Sequence, residues 1–424
     1  MQRNQGQFIL GVAWPVADLI VEYITLQPGV ERAAIAGSIR RGLEIIQDIE
    51  IVAASTAPEA LVTALTSMQG VEQAEWQDGN KLVLILTNGL VCRIYIVNPE
   101  VYIAALVYYT GSAGYVAKLA GQAAKHNFLF TAEGVRAKDG QQVMLAEESD
   151  FYTMLKLNYD QPELREDNTK LTPAGEIFTP VVSLQNVQGV VHVHTTYSDG
   201  ASRLADMAAA AKERGWHYLG IADHSKTASY AGGLSIETVK AQRREIEKLN
   251  AENPEFRILA GIESDILPDG SLDYPEEILA SFDFVVASVH SAFRQSEADM
   301  TKRIIKAMRN SYVTILGHPT GRLLLRRKGY AVNIGEVIAA AAQSGTIIEI
   351  NSSPYRLDLD WRWCRLAKEQ GVLFAINPDA HSVGEFEHMR YGMAAARKAG
   401  LSPSQVINTY SLPEVMSLLH RKRP

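Results

Sequence analysis

Cysteine is nearly missing from this 424-residue chain: Cys92 and Cys364 are the only two, and they lie far apart. Neither a disulfide framework nor a thiolate-rich zinc site can be built from them, and a reducing cytoplasm is the natural compartment. Net positive charge is missing too. Against 48 acidic residues stand 41 basic ones, a balance of −7, which excludes a strongly basic nucleic-acid coat and leaves room only for local basic patches. No uninterrupted apolar run of about 18 residues occurs, so no transmembrane span is expected. Residues 1–10, with Arg3 and three glutamines, lack the pattern of a signal peptide. What remains is an ordinary globular composition, 47% hydrophobic, able to bury cores in two or three domains.

In the first 165 residues, apolar positions recur at helical spacing from Phe8 to Tyr23, and Gln27-Pro28-Gly29 ends that run. A strand-like stretch, Glu31 to Ala36, leads into Gly37-Ser38-Ile39-Arg40-Arg41, and a second strand carries Asp48-Ile49-Glu50. Carboxylates at i and i+2 of a strand share a face and could share a divalent cation. Gly37-Ser38, at a turn before a helix, offers backbone N–H groups to a phosphate. A solvated strand face is the plainer explanation of the acidic pair alone. Between Gly79 and Pro99 there is no Asp or Glu at all.

This order of Ala36-Gly-Ser-Ile-Arg-Arg41, Asp48-Ile-Glu50 and, later, Tyr108-Tyr-Thr-Gly-Ser112 resembles the palm and thumb of family X DNA polymerases. Glu163 to Asp167 is similar to the end of that thumb. The resemblance implies an α+β nucleotidyltransferase-like palm over 1–100 and a thumb-like domain over 101–165. It also implies a third carboxylate on a neighbouring strand, to hold the catalytic metal with the other two. It puts Cys92 at that position, and a thiol does not replace a carboxylate toward Mg²⁺. Glu50 is longer than the family's usual Asp, and the palm starts almost at residue 1, without the helical DNA-binding region usual before it. The expectation is a degenerate polymerase site comprising Gly37, Ser38, Asp48, Glu50 and Cys92, with polymerase activity lost.

Residues 166–186, rich in Pro, Gly and charge, read as a linker. Beyond them short β-branched runs alternate with amphipathic helices, the pattern of a parallel α/β fold. Seven strands are expected: Val190–His194, Tyr218–His224, Arg257–Glu263, Phe284–His290, Val313–His318, Ile347–Asn351 and Leu373–Asn377. Helices are expected between them, over 203–213, 236–249, 300–309, 334–342 and 361–369. In a closed barrel, functional groups gather at the carboxyl ends of the strands. Six of the ten histidines fall at or just after such ends, and a scatter of core histidines would not segregate in this way. His192-Val-His194 opens the series, with Asp199 in the loop that follows.

Residues 187–424 resemble the polymerase and histidinol phosphatase (PHP) superfamily, whose fold is a distorted, TIM-like (βα)7 barrel. The resemblance carries nine metal-ligand positions onto His192, His194, Asp199, His224, Glu263, His290, His318, Asp379 and His381. Local context in Ala222-Asp-His-Ser-Lys226, Ala231-Gly-Gly-Leu234, Gly317 to Arg326 and Pro354 to Asp358 is closest to the PHP domain of bacterial family X polymerases. Up to three divalent cations are implied, Mn²⁺ first, with Zn²⁺ or Fe²⁺ as alternatives for a mixed imidazole and carboxylate set. They would activate water for attack on phosphorus. His192, His194, Glu263, Asp379 and His381 are the expected catalytic core, with Glu263 as bridging ligand because a carboxylate can span two cations. Asp223, beside His224, is read as an acceptor behind its ring rather than a ligand.

For substrate, Arg322, Arg326, Arg327 and Lys328 follow the fifth strand and could clamp phosphates. Lys226 and Tyr230 could line the mouth, and Asn351 is assigned an orienting role. The implied activity is hydrolysis of DNA at 3′ ends, as a 3′–5′ exonuclease, 3′-phosphatase or abasic-site endonuclease in DNA repair, with the palm and thumb holding DNA. The alternative is a small-molecule phosphomonoesterase of the histidinol-phosphatase kind. A non-catalytic scaffold is a third reading, and the complete ligand set argues against it.

Overall fold

The computed structural model describes residues 6–176 and 179–424. The chain forms two compact units, 1–179 and 180–424.

The first unit is built on a mixed five-stranded sheet in the order Val30–Ile35, Asp48–Ser55, Val91–Val97, Lys81–Leu86, Val71–Gln77. Helix Leu10–Thr25 turns Leu10, Ala13, Ala17, Ile20 and Ile24 inward, the 3.6-residue period that the sequence displays. Strands Asp48–Ser55 and Val91–Val97 run parallel, with Glu50 opposite Arg93 and Ile49 opposite Cys92. Farther along, helices Tyr102–Thr110, Ala113–Lys125 and Glu148–Met154 and the hairpin Phe128–Ala137 enclose Tyr115, Leu119, Phe130, Phe151 and Tyr152. Arg165, fully buried, pairs with Glu148 and lies against the rings of Tyr152 and Tyr159.

The second unit is an α/β barrel. Its seven parallel strands follow one another in chain order: Gly189–Val190, Tyr218–Ile221, Arg257–Asp265, Phe284–Ser288, Ile315–Leu316, Ile347–Asn351 and Phe374–Asn377. Helices Leu204–Glu213, Ile236–Glu252, Glu297–Met308, Ile334–Ser344 and Trp361–Glu369 intervene. The ring closes through a bridge between Val193 and Ala380. Inside, Val191, Tyr218, Leu259, Phe284, Val286, Ile315, Ile347 and Ala375 fill one end, together with Ile407 and with Val415 and Leu419 of the helix Leu412–His420. With that end plugged by apolar side chains, the strand carboxyl ends are where polar groups converge.

Five of the seven strands are shorter than the sequence suggests, and two of them, the first and the fifth, keep only two residues. The first ends at Val190, and a bend at Val191 precedes the two histidines, so His192 and His194 are not carried on a regular strand. The fifth spans Ile315–Leu316, and His318 leaves it at φ 21°. In both places the backbone departs from the ladder where it must aim an imidazole into the mouth.

Candidate metal centre

Three overlapping groups of ligand atoms form at the carboxyl end of the barrel: His194, Asp199, His224 and His381; His192, His194 and Glu263; and His224, Glu263 and His290. Within each group the atoms lie within 4.8 Å of one another. Asp379 joins through Oδ1, 3.0 Å from His194 Nε2, and His318 through Nε2, 3.0 Å from Glu263 Oε1. All nine residues expected as ligands thus meet in one place. Glu263 faces His192, His194, His224, His290 and His318 at 2.9–3.7 Å, which suits the bridging position.

The donor set fits divalent cations. His192 and His194 present Nε2 to each other at 3.2 Å, and His290 and His318 do so at 3.4 Å. Nδ1 of His194 and of His318 is buried without a hydrogen-bond partner among the described residues. Imidazole nitrogens aimed at one another leave lone pairs that a proton or a cation must satisfy. The electrostatics agree. Burial opposes charge on His290, yet Glu263 and Asp265 outweigh it and lift its pKa to about 10. His381 rises to about 9 against the same opposition, through Asp199 and Asp379. Glu349, Glu263 and Asp379 likewise outweigh burial at His192, whose pKa stands well above its usual value. His194 goes the other way, to about 4, from burial and the neighbouring His224. Buried negative charge in excess of structural need is what a cation site looks like before loading. Asp379 has φ 51°, in the left-handed region that glycine ordinarily occupies, and such strain concentrates at functional positions.

Behind these nine residues stand others to which the sequence assigned no role. Glu349, fully buried, accepts from His192 Nδ1 at 2.6 Å, His318 N at 2.8 Å, Asn377 Nδ2 at 3.0 Å and Asn351 Nδ2 at 3.3 Å. Asp265 lies 2.6 Å from His290 Nδ1. Their signal was available: each is an acid at a strand's carboxyl end, two residues from another polar group.

Several assignments shift. Asp223 does not back His224; it accepts from Thr195 N and Oγ1, Ser198 Oγ and Gln242 Nε2 at 2.5–2.7 Å and so holds the loop after the first strand. Asn351 Nδ2 donates to Asp379 Oδ2 at 2.9 Å and to Glu349 Oε2 at 3.3 Å, so its amide is tied into the cluster. Arg322 is spent on structure: Nε donates to Arg356 O at 2.9 Å, Nη1 to Asp360 at 2.7 Å and Nη2 to Leu357 O. Arg327 donates to Gly321 O and lies over Phe293, and Lys226 sits 5.8 Å from the centre of the Tyr274 ring. Arg326 is exposed and stacks over Tyr355.

In the first unit Cys92 is fully buried, its side chain on the core face with Ile49, and burial pushes its thiol pKa up. It does not occupy the place opposite the acidic pair. Because strand side chains alternate, that place belongs to Arg93, whose Nη1 binds Asp48 Oδ2 at 2.7 Å. Glu50 lies against Gly37, where φ is 59° and any Cβ would meet its carboxylate at 1.8 Å. Burial and the neighbouring Asp48 raise the Glu50 pKa to about 7.

Comparison with known proteins agrees with this architecture. Residues 191–353 match the PHP domain and residues 105–166 the DNA polymerase beta thumb, which defines a PHP barrel carried in one chain with a polymerase-type thumb. The chain is 34% identical to the "DNA polymerase/3′-5′ exonuclease PolX" of Bacillus subtilis (strain 168), over 99% of its own length and 74% of that protein's. It belongs to this PolX family of bacterial family X polymerases. It is also 32% identical, over 51% of its length, to 89% of a probable phosphatase of Thermoanaerobacter sp. (strain X514), and 27% identical, over 54%, to 93% of one from Caldicellulosiruptor bescii. Among the described residues no helix is long and apolar enough to cross a membrane.

Proposed function

We propose that the chain is a metal-dependent phosphoesterase that hydrolyses DNA at 3′ ends in cytoplasmic DNA repair, chiefly as a 3′–5′ exonuclease, and that its palm does not polymerise. The hydrolytic part is carried by the three ligand groups that overlap on His194, His224 and Glu263. Bound divalent cations, Mn²⁺ foremost, supply activated water and neutralise phosphate charge. The chain's own residues do the positioning. Glu349 fixes the tautomer and tilt of His192, Asp265 does the same for His290, and Asn351 steadies Asp379. The loss of polymerisation is supported by Arg93, a guanidinium where a third carboxylate would be required.

With Mn²⁺, the protein is expected to release mononucleotides from labelled single-stranded DNA, and His192→Ala to abolish release, with metal content measured alongside. Primer extension on a gapped duplex with Mg²⁺ or Mn²⁺ is expected to give no template-dependent incorporation. A phosphomonoesterase acting on small esters is the second reading. It is favoured by the probable phosphatases, whose similarity extends over about half of this chain. Activity confined to phosphomonoesters would establish it over the first.

A further inference from the structure

The mouth of the barrel carries aromatic rings and a guanidinium that the fold itself does not use. Tyr230, in the short turn Ser229–Ala231 after the second strand, is 70% exposed. Its ring centre nevertheless lies 6.1 Å from that of His224 and 6.5 Å from that of His290. No hydrogen bond from its hydroxyl is present among the described residues. Tyr355, in the loop after the sixth strand, is 41% exposed, and the Arg326 guanidinium lies over it, 4.8 Å from its centre. In a closed ring of seven strands the second and the sixth stand on opposite sides of the mouth. Next to Tyr355, Arg356 brings Nε to 3.9 Å from Asp379 Oδ2. Its guanidinium donates no hydrogen bond among the described residues, whereas Arg322 has its donors spent on the same loop.

An exposed aromatic residue is unremarkable alone. One held a ring's width from the clustered histidines, with a second exposed ring and its stacked cation in the loop after the sixth strand, suits unpaired nucleotides: bases stack on aromatic faces and a cation takes the backbone. We propose that Tyr230 and the Tyr355–Arg326 pair are nucleobase platforms flanking the metal centre, and that Arg356 grips the phosphate between them. This rests on the phosphoesterase reading of the same site.

The test compares Mn²⁺-loaded protein on two 5′-labelled oligothymidylates, one intact and one whose two 3′-terminal residues are abasic tetrahydrofuran analogues. Stacking contributes about 1–3 kcal/mol per base, or about 5- to 150-fold. The wild type is expected to show a KM at least 5-fold lower for the intact strand. Tyr230→Ala and Tyr355→Ala are each expected to reduce that preference, and Tyr230→Phe to retain it. Arg356→Ala is expected to lower kcat/KM on both strands alike, since both carry the phosphate. Equal KM for the two strands in the wild type, or a preference untouched in both Tyr→Ala variants, overturns the inference and leaves the nuclease reading standing. If the wild type cleaves neither strand, both fall together.

Discussion

Glu349 is fully buried, and its charge is balanced by the groups that donate to it. Oε1 takes His192 and Asn377 while Oε2 takes the His318 backbone and Asn351. An amide of the same shape can accept at only one of those positions, so Glu349→Gln turns an N–H toward either the His192–Asn377 pair or the His318–Asn351 pair and loosens the imidazole held there. Mutations of this kind typically cost about 10–100-fold in metal affinity or activity. Titration of metal-depleted protein with Mn²⁺ should show a loss of that size; unchanged affinity would mean that neither His192 nor His318 depends on Glu349. In the palm, Arg93→Asp would set a third carboxylate beside Asp48 and Glu50, with the charge that now neutralises Asp48 removed. One Mn²⁺ more per chain than in the wild type is the expected stoichiometry by electron paramagnetic resonance. Equal stoichiometry would place the defect elsewhere in the palm.

At the scale of elements, the loop joining the sixth strand to helix Trp361–Glu369 depends on Arg322. Three donors in one planar fork hold Arg356 O, Leu357 O and the Asp360 carboxylate, and Asp360 in turn caps the helix through Arg362 N. An ammonium cannot reproduce that fork. Arg322→Lys should therefore cost about 1.5–3 kcal/mol, the range for a hydrogen bond to a charged group, read as a lower urea midpoint at unchanged slope. Arg326→Ala, on an exposed residue of the preceding loop, should leave the midpoint where it is. The contrast shows what sequence could reveal. Six histidines at strand ends, and the β-branched runs before them, are local patterns, and the barrel and its cluster were legible from them. The arginines after the fifth strand looked alike because nothing local separates a guanidinium that holds a loop from one that faces solvent. Register was equally hidden. Whether Cys92 or Arg93 faces Asp48 depends on a parallel pairing that brings together Asp48 and Arg93 from 45 residues apart, and a shift of one residue exchanges the two faces. Glu349 and Asp265 were visible as acids at strand ends, but which ring each would meet is decided only by closure of the barrel.

For the whole molecule, metal, protons and stability are linked through one of its two units. In the metal-free barrel the cluster's carboxylates hold His290 and His381 protonated, with pKa values up to about 10 and about 9 against an ordinary 6.5. A raised folded-state pKa stabilises fully below the unfolded value and loses that contribution as pH climbs through the folded one. The metal-free barrel should therefore lose stability between pH 7 and 10. Cation binding runs in the opposite direction, because a ligand imidazole must be neutral and each entering cation displaces protons. Metal affinity should rise across the same interval. Calorimetric titration with Mn²⁺ at pH 7, repeated in buffers of different ionisation enthalpy, should show heats that vary with the buffer and correspond to net proton release. Buffer-independent heats would refute the linkage. The stabilisation itself should be confined to residues 180–424, where the ligands lie. At a free cation concentration 100 times Kd it amounts to about 2.7 kcal/mol. Chelation should accordingly lower the melting temperature of the barrel and leave that of the first unit unchanged, and scanning calorimetry with and without Mn²⁺ would separate the two. A single transition that shifts as one would show instead that the units unfold together, so that metal bound to the barrel also stabilises the palm and thumb.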